Sequence, residues 1–180
     1  MEAPPTPAAV AERIESARLI LEPLRIEHAD ELAPLLTDPE LHRFIGGEPP
    51  TAAELRSRFE RHLTGHSPDE RDRWLNWVVR ERATARALGT VQATVRPDRH
   101  ANGPMAELAW VIGTAHQGNG FAKEAAATMA QWLQHQGVGT LRAHIHPDHG
   151  ASARVAEAAG LEPTGTIVDG ELRWQSARPG

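Results

Sequence analysis

The chain has 180 residues, 40% of them apolar and 24% charged, with a formal net charge of −5 and no cysteine. A chain of this length buries roughly 70% of its unfolded surface around one core, which excludes a fibrous or wholly disordered protein. The acidic balance removes the basic field that holds a polyanion, so no nucleic-acid partner is expected; the missing cysteines remove disulfides, thiolate metal sites and thiol nucleophiles, and fit a cytoplasmic location.

Residues 1–17 are rich in Ala and Pro, carry Glu2, Glu12 and Glu15, and lack the basic and apolar stretches of a leader. They read as a disordered tail before a single domain over residues 18–180. No run approaches the roughly 18 consecutive apolar residues of a membrane span, so no membrane partner is expected. Leu19, Ile20 and Leu21 form a short strand that Pro23 ends or places at a sheet edge. A helix follows over residues 28–36, with Leu32, Leu35 and Leu36 on one face and Pro34 interrupting it. Thr51 and Glu54 have the spacing of a capping box, which predicts a second helix over residues 52–63. The intervening residues 38–50 carry His42, Phe44, Ile45 and the pair Gly46-Gly47. They read either as the lining of a substrate pocket, with His42 and Phe44 toward the substrate, or as a loop that covers the core.

Residues 74–81 and 87–95 are β-rich runs joined by a short polar segment, the spacing of an antiparallel hairpin, and residues 105–112 make a third run. A glycine turn then leads into an alanine-rich helix over 122–136 and a strand over 141–146, the order of a parallel βαβ crossover. A shorter helix over 152–159 precedes a hairpin of residues 164–168 and 171–176 around Asp169-Gly170. The whole is an α/β protein with a mixed sheet.

Gln117, Gly118, Asn119, Gly120, Phe121 and Ala122 link a strand to the long helix, so their backbone amides leave the first helical turn with little side chain in the way. Such a turn holds phosphate, because the helix dipole adds roughly half a positive charge and glycine lets oxygen approach the backbone. Two commoner phosphate motifs fail here. A P-loop needs Lys and then Ser or Thr after its last glycine, where this chain has Phe121; a dinucleotide fingerprint needs a third glycine, where it has Lys123.

Gln117, Gly120 and Ala122 instead resemble the Gln-x-x-Gly-x-Ala coenzyme A pyrophosphate loop of the GNAT acetyltransferases. Residues 106–112 before it, and 143–148 and 152–161 after it, resemble the ribosomal-protein N-terminal acetyltransferase branch of that superfamily. The resemblance implies a largely antiparallel, mixed central sheet of about seven strands flanked by helices and splayed between its fourth and fifth strands. It implies acetyl-CoA as acyl donor with no metal, and a small-molecule amine or a protein N-terminus as acceptor. Homodimers are common in the family. Carried over, the amides of Trp110, Val111 and Ile112 hold the pantetheine arm, and those of Gln117, Gly118, Asn119, Gly120, Phe121 and Ala122 hold the pyrophosphate.

A protonated amine cannot attack a thioester, so a base must remove its proton. The resemblance points to Glu107 for this role; its other reading is a solvated strand residue, and His42, His146 and Glu171 are the reserves. Many family members protonate the departing thiolate with a tyrosine, at the position of Ala156 here, and this chain has no tyrosine at all. Ser152 lies where the branch often has a serine near the sulfur, and it either serves that step or caps a helix. The asparagine that usually contacts the cofactor is His149, and the final Gly-Phe of the motif is Gly160-Leu161. These departures leave a second reading, a coenzyme A-binding sensor or regulatory module without turnover, beside the main one, an N-acyltransferase working by direct attack in a ternary complex. His144, His146, Asp148 and His149 also spell the His-x-His-x-Asp-His motif of dinuclear metallohydrolases, but no histidine follows His149 to complete such a site.

Overall fold

The computed structural model describes residues 10–98 and 103–177. Eight strands form one sheet in the order β1-β2-β3-β4-β5-β6-β8-β7. They are β1 (Ile14–Glu15), β2 (Leu19–Pro23), β3 (Arg73–Glu81), β4 (Ala87–Arg96), β5 (Met105–Ile112), β6 (Thr140–Ile145), β7 (Leu161–Val168) and β8 (Glu171–Ser176). All neighbours are antiparallel except β5 and β6, the parallel pair that the βαβ grammar demands.

Helices α1 (His28–Leu36), α2 (His42–Ile45) and α3 (Ala52–His62) lie between β2 and β3 in the chain; α4 (Phe121–His135) joins β5 to β6, and α5 (Gly150–Ala158) joins β6 to β7. The predicted capping box starts α3: Thr51 Oγ accepts from the Glu54 amide, and the Glu54 carboxylate accepts from the Thr51 amide at 2.7 Å. Pro34 is tolerated inside α1, near its end. Residues 38–50, too irregular to assign from sequence, hold a 3-10 turn at Pro39–Leu41 and the single-turn α2.

One correction concerns the tail. Residues 1–9 lie outside the described residues, but Ile14 and Glu15 pair with Leu21 and Ile20 as an added edge strand. Ala11 and Ile14 pack on the main core, and Trp77 Nε1 donates to the Glu12 carbonyl at 2.7 Å. A composition-based reading averages out the few β-branched residues among so many Ala and Pro, and the indole that anchors this segment lies 65 positions away.

Two cores form on the two faces of the sheet. The larger joins Trp77, Val91, Ala93 and Leu108 to a stripe on α4 (Ala125, Ala126, Met129, Leu133) and to Val155 and Ala156 of α5. The alanines let α4 seat close to the sheet. The smaller core joins Leu32 of α1, Leu55 and Phe59 of α3 and Val78 of β3.

Candidate active site

β5 pairs with β4 along its whole length, from Met105 opposite Arg96 to Ile112 opposite Gly89. Toward β6 its pairing stops after Met105, Ala106 and Glu107. Beyond Glu107 the two parallel strands diverge, and the β6-facing edge of residues 108–112 borders the opening. Backbone N–H groups alternate along a strand, and the bond from the Gly113 amide to the Leu88 carbonyl sets the phase: the amides of Trp110 and Ile112 lie on this edge, whereas that of Val111, expected with them, is turned toward β4. A peptide-like chain entering there would add itself to the sheet as an extra strand.

The glycine turn sits at the wide end of this V. Gly118 (φ +80°) and Gly120 (φ +76°) are left-handed, which L side chains rarely adopt. Gly120 occupies the N-cap of α4, and no side chain caps that helix. The first-turn amides beginning at Phe121 and Ala122 are therefore left for an external acceptor. The Gln117 side chain braces the turn, its Nε2 donating to the Ile112 carbonyl at 3.0 Å, and Asn119 Nδ2 donates to the carbonyls of His116 and Gln117.

Arg18 adds a contribution that no local pattern in the sequence signals. Its Nε donates to Glu124 at 2.7 Å, its Nη1 to the Asn119 carbonyl at 2.9 Å, and its guanidinium stacks 4.8 Å from the centre of the Phe121 ring. Burial raises the Glu124 carboxyl, but hydrogen bonds from Ser16 and Arg18 outweigh it and hold the group below the ordinary carboxylate range. The ordered tail segment and the turn are thus locked together, with a cation beside the helix start.

At the narrow end of the V, Glu107 meets His144 of β6, whose Nδ1 contacts Glu107 Oε1. Arg173 of β8, opposite His144 in the sheet, donates from Nε to His144 Nε2 at 3.4 Å. A neutral imidazole that accepts at Nε2 carries its proton on Nδ1, so His144 donates to the carboxylate. Both side chains are about one-quarter to one-third exposed, at 25% for His144 and 29% for Glu107, so the pair is reachable from solvent. Sequence reasoning missed His144 as Glu107's partner. Its signal was the parallel βαβ, which sets Glu107 beside Arg142 and brings His144 onto the same face two residues on.

Across the V, Ser152 of α5 accepts a 3.3 Å hydrogen bond from Trp110 Nε1. The helix cap is His149 rather than Ser152, for His149 Nδ1 accepts from the Ser152 amide at 3.2 Å. Burial is the first cause holding His149 below the ordinary imidazole range, consistent with a neutral ring that accepts at Nδ1. His146 Nδ1 accepts from the Asp148 amide. The three histidines of the metallohydrolase-like motif thus serve three separate local tasks. Glu171 opens β8 in the hairpin turn opposite Val168.

On the face covered by α1, α2 and α3 lies a cavity of about 240 Å³, floored by Ala109, Trp110 and Val111 of β5 and by Thr90 and Gln92 of β4. His42 and Ile45 of α2 line it, and the Phe44 side chain lies outside the described part of the structure. Glu107 shares this sheet face with Ala109, one pleat or about 7 Å along the strand. A larger hollow of about 430 Å³, bounded by Val10, His62, Leu63 and Trp74, includes neither Glu107 nor Ser152 nor the glycine turn.

A sheet that opens beside a paired carboxylate, with an uncapped glycine turn at one end and an amine-sized cavity behind, defines an acyltransferase arrangement. Residues 18–162 match the acetyltransferase (GNAT) domain, and the chain belongs to that family, whose members are acetyl-CoA-dependent N-acetyltransferases. A stretch of 92 residues is 33% identical to an uncharacterized protein, YkkB, of Bacillus subtilis (strain 168); the match spans 51% of this chain and 52% of that one, so the chain covers about half the length of this relative. Among solved structures, the ribosomal-protein-S5-alanine acetyltransferase of Vibrio fischeri is similar at TM-score 0.73 and 15% identity, over 93% of this chain and 97% of that one. The spermidine N-acetyltransferase of Vibrio cholerae, in complex with CoA and spermine, is similar at TM-score 0.69 and 16% identity, over 89% and 94% of the two chains. At these identities the likeness is one of fold.

Proposed function

We propose that the protein transfers an acetyl or similar short acyl group from acyl-CoA to a primary amine by direct attack in a ternary complex. The observation that carries this reading is the end of the β5–β6 pairing at Glu107, which places a carboxylate where the sheet opens. In this account the glycine turn and the start of α4 hold the pyrophosphate, aided by Arg18, and the free edge of β5 pairs with the pantetheine amides. The thioester carbonyl meets a backbone N–H of β5, which stabilises the oxyanion as it forms.

Glu107 takes one proton from the ammonium, directly or through water. The amine nitrogen then bonds to the carbonyl carbon, the carbon–sulfur bond breaks, and the second proton of the nitrogen passes through water or Ser152 to the departing sulfur. A thiol has a pKa of about 8.5, so the thiolate is a tolerable leaving group, and Ser152 stands across the V to donate a proton or hold a water for it. His144 is a positioning residue, aiming the Glu107 carboxylate while Arg173 keeps the imidazole in one tautomer. The acceptor is a small amine or a protein N-terminus, as in the ribosomal-protein and spermidine enzymes of similar fold.

The absence of tyrosine, with Ala156 fully buried where a phenol would stand, favours the second reading of a silent coenzyme A-binding module. Thiol release separates the two. Glu107→Gln should lower kcat about 100-fold or more at neutral pH with acetyl-CoA affinity unchanged. Equal rates for variant and parent would remove Glu107 as the base, and no release from the parent with any amine would favour the silent module.

A further inference from the structure

The charge of the cavity facing α1, α2 and α3 narrows the acceptor. No carboxylate lines it among the described residues, and its permanent cation is Arg58 of α3. Nearby carboxylates are engaged elsewhere. Glu54 accepts from Thr51 at both N and Oγ, while Asp30 and Glu60 lie 3.9 Å from Arg56. Outside the mouth, Arg58 also borders a shallow hollow with Glu48, Glu54 and Arg61, yet it makes no ion pair within 4 Å among the described residues.

His42 lines the same space. Its Nε2 lies 3.0 Å from the Leu36 carbonyl, so Nε2 carries the proton and Nδ1 presents a lone pair. That Nδ1 is buried and without a hydrogen-bond partner. With under 1 Å² of its surface accessible, that atom is closed to a molecule in the cavity, so His42 contributes to the wall without offering it a polar contact. The remaining wall is apolar, with Leu24, Leu36, Leu41, Leu55 and Phe59.

A polycation entering this space could set its reacting amine toward Glu107, but its other charges would shed water beside a fixed positive charge with no counter-ion in the cavity wall. An amine bringing its own carboxylate reverses both terms, because the carboxylate can pair bidentately with the guanidinium. We infer that the cavity takes a small primary amine with an apolar body and its own carboxylate, the amine toward Glu107 and the carboxylate on Arg58. This rests on the acetyltransferase reading above, and it separates the chain's acceptor from polyamines.

The test is thiol release from acetyl-CoA with leucine, phenylalanine and 6-aminohexanoate, each beside its carboxamide, and with spermidine, after acetyl-CoA binding has been measured by calorimetry. At least one acid should exceed its own amide and spermidine ten-fold in kcat/KM, and Arg58→Gln should bring that acid-to-amide ratio toward one. Arg58 is exposed, so its replacement leaves the core intact. Acids no better than their amides, or spermidine preferred, would overturn the inference and leave acetyl transfer standing. Acetyl-CoA bound with no amine turned over, or no acetyl-CoA binding, would overturn both.

Discussion

The two faces of the sheet at the site are made of different material. On the α4 and α5 side, the features offered to a cofactor are backbone groups: the β5 edge past Glu107, two left-handed glycines and an uncapped helix start, all carried on the larger core. On the α1–α3 side the cavity is walled by side chains from α1, α2, α3 and the strands β3, β4 and β5, around a smaller core. Main-chain geometry survives wide change in sequence, while a side-chain wall changes with each substitution. A single scaffold can therefore keep its donor and exchange its acceptor.

The comparison breaks most visibly at Gly120. A glutamate there must adopt φ +76° and puts a negative charge at the mouth of the turn, where the space beyond Cα is open except for Arg18 Nη2 at 3.5 Å. Acetyl-CoA affinity should fall at least about 100-fold, with thermal stability within a few degrees of the parent. Unchanged affinity in calorimetry would mean that the phosphate site is elsewhere.

A smaller effect is expected where the two sides meet, at His144. His144→Ala should lower kcat by about ten-fold while KM for acetyl-CoA stays put, since only the aim of Glu107 is lost. His144→Asn, whose Nδ2 can stand in for the imidazole Nδ1, should recover part of that rate. A matching loss in both variants, or a rise in KM for acetyl-CoA, would give His144 another role.

The mildest difference is in acid stability. Burial is the first cause holding His28 and His62 below the ordinary value of 6.5; Glu22 opposes it at His28, and Arg58 and Arg61 add to it at His62. Burial would raise Glu22, but Arg80 outweighs it, and a hydrogen bond from Arg80 likewise leads in lowering Glu31. All four values are depressed in the folded state, so their stability is present above the unfolded values and lost as pH falls through the folded ones. His149, on the cofactor side, acts with the same sign. Denaturant midpoints should therefore decline steadily from about pH 7.5 to pH 5, with amide exchange rising first in α1 and α3. A flat profile, or earlier opening of α4, would contradict the ranking of the two faces.

What could be read in advance divides along the same line. The βαβ unit, the glycine turn, the Thr51 capping box and the Asp169-Gly170 hairpin rest on local spacing, and the structure holds each of them within a residue or two of its expected bounds, except that the first hairpin strand starts three residues earlier, at Leu161. The contact of Glu107 with His144 needs strand register, which no local pattern encodes. Arg18 acts on a loop a hundred positions away. The cavity around His42 depends on how a single-turn helix packs, and residues 38–50 have no periodicity strong enough to fix that. Ile14 sits in an Ala- and Pro-rich segment whose composition reads as tail, although an indole from β3 orders it.

The most direct test of the account is calorimetric titration of the protein with acetyl-CoA, with NAD as a control. Saturable, roughly micromolar binding of acetyl-CoA and no response to NAD is the predicted result, about −8 kcal/mol. No binding of acetyl-CoA, or equal binding of both, would contradict the assignment of the glycine turn and the splayed β5 edge as a coenzyme A site.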